Sequence, residues 1–135
     1  MKKIFLVNGN ISRLLIYIKK LKNFYDILDT GYVSTIEYKF KKGISPDLLI
    51  VDPEIPILLG ELETNKPTTG IVWFEKIAYL KIPVLFWPCN KEYIKEIEKL
   101  KLAHPGNEIH YLEVKTEVNH LLTFVNSFFE KQKKP

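Results

Sequence analysis

Residues 45–66 read SPDLLIVDPEIPILLGELETNK, and this segment decides which fold the sequence predicts. Leu48–Val51 is a continuous apolar run, which is typical of a strand covered on both faces. Residues 52–56 contain two prolines, which predicts a turn. We interpret residues 57–63 as a strand that returns beside the first one. The segment therefore predicts a β-hairpin over about residues 47–63.

Three carboxylates are expected to meet at one end of this hairpin. Asp47 begins the first strand, and Glu61 and Glu63 lie near the end of the second. Side chains two positions apart in a strand point to the same face, so the two glutamates share a face that Asp47 can approach. Three such groups repel one another unless they are protonated or surround a hard divalent cation. A cation of this kind also activates water for phosphodiester hydrolysis.

Pro46-Asp47, followed fourteen positions later by Glu61-Leu62-Glu63, resembles the active-site hairpin of the PD-(D/E)XK, or restriction-endonuclease-like, nuclease superfamily. The resemblance covers roughly residues 32–90. It implies that Asp47 and Glu61 bind Mg²⁺ or Mn²⁺ and that Glu63 replaces the usual lysine, as in E-X-E variants. It also implies that Lys66 supplies a cation to the catalytic site.

Strands and helices are expected to interleave along the rest of the chain. Apolar periodicity predicts helices near residues 11–25, 71–78, 91–102 and 118–129, and strands at residues 3–7, 83–87 and 109–114. Ile36, Tyr38 and Phe40 alternate with charged residues, which favours a strand and leaves a short helix open. The fold class is therefore α/β, with a mixed central sheet that contains the hairpin and is flanked by helices. No linker or repeat divides residues 1–135, so we expect a single nuclease-like domain.

A second interpretation is a signalling module with a flavodoxin-like or receiver-like parallel sheet. KKIFLVNGN, SPDLLIVD and IPVLFW resemble strands one, three and four of a response-regulator receiver domain. In that family Asp52 would take the place of the phosphoryl-accepting aspartate. The two acids that hold Mg²⁺ in that family are replaced here by Asn8 and Gly9. The Ser or Thr of its conformational switch is replaced by Pro88, and the lysine of its last strand is replaced by Val114. This resemblance implies a degenerate receiver that acts by protein–protein contact, with strands ordered 2-1-3-4-5.

A third interpretation is a non-catalytic subunit related to tRNA-splicing endonuclease. YDILDTGY followed by YKF, and TGIVWFEKIAYLK before a buried strand, are similar to stretches of the archaeal subunits. The catalytic histidine of that family has no counterpart before Ile57. This resemblance therefore implies an assembly role.

Composition narrows the class of protein. The chain has 135 residues, of which 46% are hydrophobic and 27% charged, and this excludes disorder as the default state. The single cysteine, Cys89, excludes an internal disulfide framework and suits a reducing compartment. No apolar segment reaches the ~18 residues of a membrane span. We therefore expect a cytoplasmic protein that does not contact membranes.

The basic excess is compatible with a polyanionic partner. Twenty lysines and arginines against sixteen acids give a net charge of +4, which suits nucleic acid. We expect Lys39, Lys41 and Lys42 to contact phosphates of DNA or RNA. The aromatic last helix either covers the sheet or seals a homodimer. The leading hypothesis is a metal-dependent nuclease, or a nuclease-fold protein that binds nucleic acid.

Overall fold

Strands and helices alternate along the chain. The structure is a computed structural model and describes residues 1–55 and 69–132. The strands are β1 (Lys3–Val7), β2 (Asp26–Thr30), β3 (Leu48–Val51), β4 (Val84–Cys89) and β5 (Ile109–Glu113). The α-helices are α1 (Leu15–Lys22), α2 (Val33–Lys41), α3 (Thr69–Ile77), α4 (Ile94–Ala103) and α5 (Val118–Gln132). Short 3-10 helices cover Ile11–Leu14, Ala78–Leu80 and Lys91–Tyr93.

The five described strands form one parallel sheet in the order β2-β1-β3-β4-β5. β1 lies between β2 and β3, with Ile4 opposite Ile27 on one side and Leu48 on the other. β4 follows β3, with Leu49 opposite Val84, and β5 completes the sheet. Parallel neighbours need crossover connections, and helices supply them between successive strands. The fold class is α/β, and the parallel, receiver-like sheet is the arrangement observed.

The mixed sheet with a β-hairpin is therefore a wrong prediction. β1 pairs with one edge of β3 and β4 pairs with the other, both in parallel. Since a strand has only two edges, β3 has none left for an antiparallel partner. Residues 57–63, which we expected to form that partner, lie outside the described residues.

Alternate side chains of the central strands enter two separate cores. Phe5, Leu49 and Phe86 pack on one face of the sheet, together with residues of α2, α3 and α4. Leu6, Ile50 and Trp87 pack on the other face, below α1 and α5. Because both faces are covered, β3 needs apolar side chains at every position, and all four of its residues are buried.

Residues 33–41 form a helix, so the strand predicted around Ile36, Tyr38 and Phe40 is wrong. The helical period brings Val33, Ile36 and Phe40 onto one face, where the first two are buried and Phe40 packs against the core. Tyr38 points outward and is 56% exposed. The short helix that the pattern left open is the observed element.

The last helix covers the sheet. Leu121, Val125, Phe128 and Phe129 of α5 are buried in the core that α5 shares with α1. This burial accounts for the aromatic residues of the segment without a second copy of the chain. In the described ranges, each helix is too short or too polar to cross a membrane.

Candidate functional site at the carboxyl ends of the strands

A cavity of about 540 Å³ opens at the carboxyl ends of the parallel strands. In open α/β sheets ligands bind at the carboxyl ends of the strands, because the loops that follow the strands meet there. The strand ends and the start of the first helical segment line the cavity with Asn8, Asn10, Arg13, Leu14, Tyr17, Asp52, Glu54, Trp87, Pro88, Asn90 and Val114.

Asp52 is the first residue after β3, and its carboxylate lies in the cavity wall. Its backbone N–H donates to the carbonyl oxygen of Val7 at 3.0 Å, which continues the pairing of β3 with β1. Burial raises the pKa of the carboxyl group, and the charge of Glu54 acts in the same direction. Hydrogen bonds from the backbone N–H groups of Glu54 (2.9 Å) and Gly9 partly offset this rise in pKa.

Glu54 connects the end of β3 to the segment that follows β4. Its carboxylate accepts a hydrogen bond from the Asn90 side-chain amide at 3.0 Å. Burial raises the pKa of Tyr93, and the charges of Glu54 and Glu92 and hydrogen bonds to them raise it further. Burial also raises the pKa of the Cys89 thiol to about 11, with contributions from Glu113, Asp52 and Glu54. The electrostatic environment at the carboxyl ends of the strands is therefore locally negative.

The residue after β1 is a neutral amide. Asn8 is 4% exposed, and its side-chain oxygen accepts the backbone N–H of Asn10 at 2.6 Å. Gly9 follows and has no side chain. The end of β1 therefore contributes no carboxylate to the described wall of the cavity.

The ends of β4 and β5 also carry unreactive side chains into the cavity. Pro88 is the next-to-last residue of β4 and Val114 directly follows β5, and both line the cavity. Neither side chain can donate a hydrogen bond or carry a charge. Arg13 is the only cationic side chain among the described residues of the cavity wall.

The described cavity wall offers a divalent metal ion few protein ligands, with no carboxylate from the end of β1. Hard cations need several oxygen ligands, usually including more than one carboxylate. Asp52 and Glu54 are the carboxylates in the described wall, and the Glu54 carboxylate already accepts a hydrogen bond from Asn90. Across residues 1–55 and 69–132, no three His, Cys, Asp or Glu side chains are grouped in a way that could hold a metal ion.

Asp47, the first predicted metal ligand, lies at the opposite end of the sheet, where the parallel strands begin. It immediately precedes β3, and its carboxylate accepts the backbone N–H of Lys3 at 2.8 Å. The pair ties the starts of β3 and β1 together. Glu61, Glu63 and Lys66, the other predicted catalytic residues, lie outside the described residues.

The lysines expected to contact phosphates are in or beside α2. Lys39 and Lys41 are in the last turn of this helix and Lys42 caps its end. The Lys42 ammonium group lies 4.6 Å from the centre of the Tyr38 ring, a distance suited to a cation–π contact. None of the three lysines lines the cavity.

Several cavity residues were not singled out from the sequence. Arg13 and Tyr17 lie on the first helical segment, Glu54 and Asn90 follow strands, and Trp87 lies within β4. Their position in the sequence directly after predicted strands could have identified several of them, because residues that follow parallel strands meet at the carboxyl ends of the sheet. The predicted hairpin directed attention to the other end of β3.

Comparisons with known proteins agree with this geometry. No protein-family model matches the chain, and no curated protein matches it. A receiver domain protein (CheY-like) of a response regulator from Methanospirillum hungatei has a TM-score of 0.69 and 16% identity, covering 98% of this chain and 97% of its own. A response regulator receiver domain from Clostridium thermocellum has a TM-score of 0.68 and 16% identity, covering 98% of both chains. A Francisella response regulator receiver domain has a TM-score of 0.65 and 10% identity, covering 98% of this chain and 99% of its own.

These findings correct the leading hypothesis from the sequence. The resemblance to PD-(D/E)XK nucleases is wrong, because the similar solved structures named above are receiver domains and the five described strands are all parallel. The expectations of a hydrolase and of a nucleic-acid partner are wrong as well, since the similar structures are signal receiver domains and a net charge of +4 does not identify the partner by itself. Of the interpretations considered, the receiver-like one agrees with the comparisons. The chain has the fold of response-regulator receiver domains.

Proposed function

We propose that this chain is a degenerate receiver-like signalling module that acts by contact with another protein and accepts no phosphoryl group. One observation carries the proposal. The cavity brings Asp52 together with Asn8, Pro88 and Val114, which stand where receivers have an acid, a hydroxyl residue and a lysine. The aspartate is kept, and the groups that would assist it are replaced.

The chemistry of phosphoryl transfer explains why these replacements matter. Transfer to a carboxylate requires positive charge and hydrogen-bond donors around the phosphoryl oxygens as the bond to the leaving group breaks. Asn8 is neutral and its side-chain oxygen is already hydrogen-bonded, while Gly9 offers no side-chain ligand. Pro88 has no hydroxyl group and Val114 has no amino group. We therefore propose no step that depends on Mg²⁺ or on phosphorylation of Asp52.

Contact with a protein is the mode of action that fits this fold without its chemistry. The similar structures are named as signal receiver or response regulator domains, and those names suggest a protein partner. A receiver that cannot be phosphorylated can pass on a signal only through what its surfaces bind. Residues on both faces of the sheet, such as Ile50 and Phe86, are fully buried, so the scaffold can present such surfaces.

The proposal is tested by exposing the protein to acetyl phosphate with Mg²⁺ and measuring its intact mass. We expect no phosphoryl adduct. In parallel, beryllofluoride with Mg²⁺ should leave the amide resonances of Asp52 and its neighbours unchanged. A phosphoryl adduct on Asp52, absent in the Asp52→Asn variant, would overturn the proposal.

We also propose a cytoplasmic location. Cys89 is a free, buried thiol, and free thiols are typical of reducing compartments. Fractionation of cells that produce the chain at native levels tests this, and recovery outside the cytoplasm would contradict it.

A further inference from the structure

The cavity at the carboxyl ends of the strands holds charges of both signs that are not paired with each other. Arg13 is an exposed part of its wall, and Asp52 and Glu54 follow β3. Within residues 1–55 and 69–132, neither Arg13 nor Asp52 forms an ion pair. Burial raises the pKa of Asp52, as a cation beside it would not. A guanidinium and a carboxylate are therefore both left for a ligand.

The buried part of the cavity wall contains a hydrogen-bond donor without an acceptor. Trp87 is 2% exposed and lies beside the apolar side chain of Leu14 in this wall. In the part of the chain that the structure describes, the indole N–H of Trp87 has no hydrogen-bond partner. A buried donor without an acceptor destabilises a protein, so an acceptor supplied by a ligand would be stabilising. The N–H is covered, and the indole has to turn slightly toward the cavity for a ligand to reach it.

Tyr17 gives the cavity a fixed aromatic wall. Its ring meets the Trp87 indole edge-on, with the ring centres 4.9 Å apart. Its hydroxyl group donates to the carbonyl oxygen of Thr116 at 2.9 Å, which ties the ring to the segment after β5. Pro88 and Val114 add apolar surface from the ends of β4 and β5. Apolar surface next to the unpaired charges suits a ligand that combines a charged group with an apolar body.

The charges of the cavity favour one class of ligand. A volume of about 540 Å³ is large enough for a small metabolite. A phosphate or another simple anion would be repelled by the two carboxylates, and a simple amine would leave the Arg13 guanidinium unpaired. A zwitterion avoids both costs, because its carboxylate pairs with Arg13 and its ammonium group pairs with Asp52.

We propose that this cavity binds a free α-amino acid with an apolar side chain. Arg13 holds the carboxylate, and Asp52 accepts the ammonium group with Glu54 beside it. The side chain of the ligand packs against Tyr17 and Trp87. The inference goes beyond the proposed function, which concerns contact with a protein and the absence of phosphorylation.

Isothermal titration calorimetry of the full chain with L-leucine, L-phenylalanine and L-tryptophan tests the proposal. We expect saturable binding of at least one of them to a single site. Two analogues of the tightest binder then separate its charges: its amide lacks the carboxylate, and the acid without its amino group lacks the ammonium. Each analogue should bind at least about tenfold more weakly, because each leaves a charged group of the cavity unpaired.

Arg13→Gln should weaken binding of the amino acid at least about tenfold. Lys20→Gln is the matched control. It removes the same charge from an exposed position farther along the first helical segments, and Lys20 is not part of the cavity wall. This control variant should bind as the unmodified chain does. Circular dichroism establishes that both variants are folded.

The two tryptophans provide a second measurement. The indole N–H of Trp73 donates to Glu37 at 3.2 Å, and Trp73 belongs to the core on the other face of the sheet. In ¹H–¹⁵N spectra the indole resonance of Trp87 should move downfield when the amino acid binds, and that of Trp73 should stay. The spectrum of Trp87→Phe assigns the two resonances.

Several results would overturn the inference. One is no binding of any of the three amino acids, and another is equal binding by Arg13→Gln and Lys20→Gln. A third is an unmoved Trp87 indole resonance at saturation. Binding of the amide or of inorganic phosphate as tight as that of the amino acid would assign the cavity to a cation or an anion instead. Failure of the proposed function is distinct, because a phosphoryl adduct on Asp52 is read by mass.

Discussion

Gly70 lies directly against the carbonyl oxygen of Asp52. A Cβ atom at residue 70 would be 2.2 Å from that oxygen and 2.9 Å from the Cα of Pro53. The backbone N–H of Gly70 donates to the Pro53 carbonyl oxygen at 2.9 Å. The first turn of α3 therefore packs on the backbone that follows β3 and fixes the position of Asp52 in the cavity wall.

We expect Gly70→Ala to lower the free energy of unfolding by about 1–3 kcal/mol, because backbone atoms must move to admit the methyl group. Gly31→Ala is the control. A Cβ at residue 31 meets only the Asn8 carbonyl oxygen at an ordinary 3.6 Å, so its effect should stay within about 1 kcal/mol. Urea denaturation measures both. Equal stability of the two variants would contradict the close packing at Gly70.

Asp52→Asn should raise the free energy of unfolding at neutral pH. Burial raises the pKa of Asp52 in the folded chain, so its charged form costs stability above the ordinary carboxyl pKa. The gain in the free energy of unfolding should shrink as pH falls from the raised pKa of the folded chain to the ordinary carboxyl pKa, because the carboxyl group takes up a proton over this range. Asp26→Asn, an exposed position on β2, should change little. Thermal unfolding from acid to neutral pH measures the difference, and a loss of stability in Asp52→Asn at neutral pH would oppose this prediction.

Mg²⁺ should not change the thermal stability of the unmodified chain, because the end of β1 carries Asn8 and Gly9 and offers no carboxylate beside Asp52. The variant N8D/G9D supplies two. We expect it to be less stable than the unmodified chain in EDTA, since like charges meet at a buried position. Mg²⁺ should restore about 1–3 kcal/mol by binding only the folded state. Stabilisation of the unmodified chain by Mg²⁺ would show that the cavity binds the metal without these acids.

Stability should fall between about pH 9 and pH 11. The pKa of Cys89 is raised from 9.0 to about 11 in the folded chain, so the unfolded chain loses this proton first. The folded chain then binds more protons than the unfolded chain, and the free energy of unfolding falls as pH rises. Cys89→Ala should reduce the slope of this fall in urea titrations. The raised pKa of Tyr93 leaves part of the fall in place, so an unchanged slope in Cys89→Ala would contradict the prediction.

Local pattern was sufficient for much of the secondary structure. The run KIFLV predicts β1, and Lys3–Val7 is a strand; LLIV predicts β3 in the same way. The helical period predicts α5, and the described helix covers Val118–Gln132. These segments are decided by their own apolar spacing, because burial on one or two faces is encoded in that spacing.

Two segments depended on their neighbours. β2 reads DILDT and carries two acids, so no apolar run marks it; it is a strand because its backbone pairs with β1 at the sheet edge. In α2, Ile36 and Phe40 fit both a two-residue and a near-four-residue period. Only the core beneath them selects the helix.

Only one of two interpretations of the sequence identified residues of the candidate site. The receiver-like interpretation placed Asn8, Asp52, Pro88 and Val114 at one site, and the structure gathers all four around one cavity. The hairpin interpretation started from Asp47, whose carboxylate accepts a hydrogen bond from the backbone N–H of Lys3 at the amino ends of the strands. Both interpretations agree with the apolar run of β3, and they differ only in which strands become its neighbours.

The sequence by itself determined an α/β chain, a β3 buried on both faces, and an aspartate that directly follows it. Tertiary structure alone decided that β1 and β4 occupy both edges of β3, and hence which strand ends meet. The physical reason is that apolar spacing records how deeply a residue is buried but not by what. Hydrogen bonding between strands distant in sequence selects the neighbour, and with it the site.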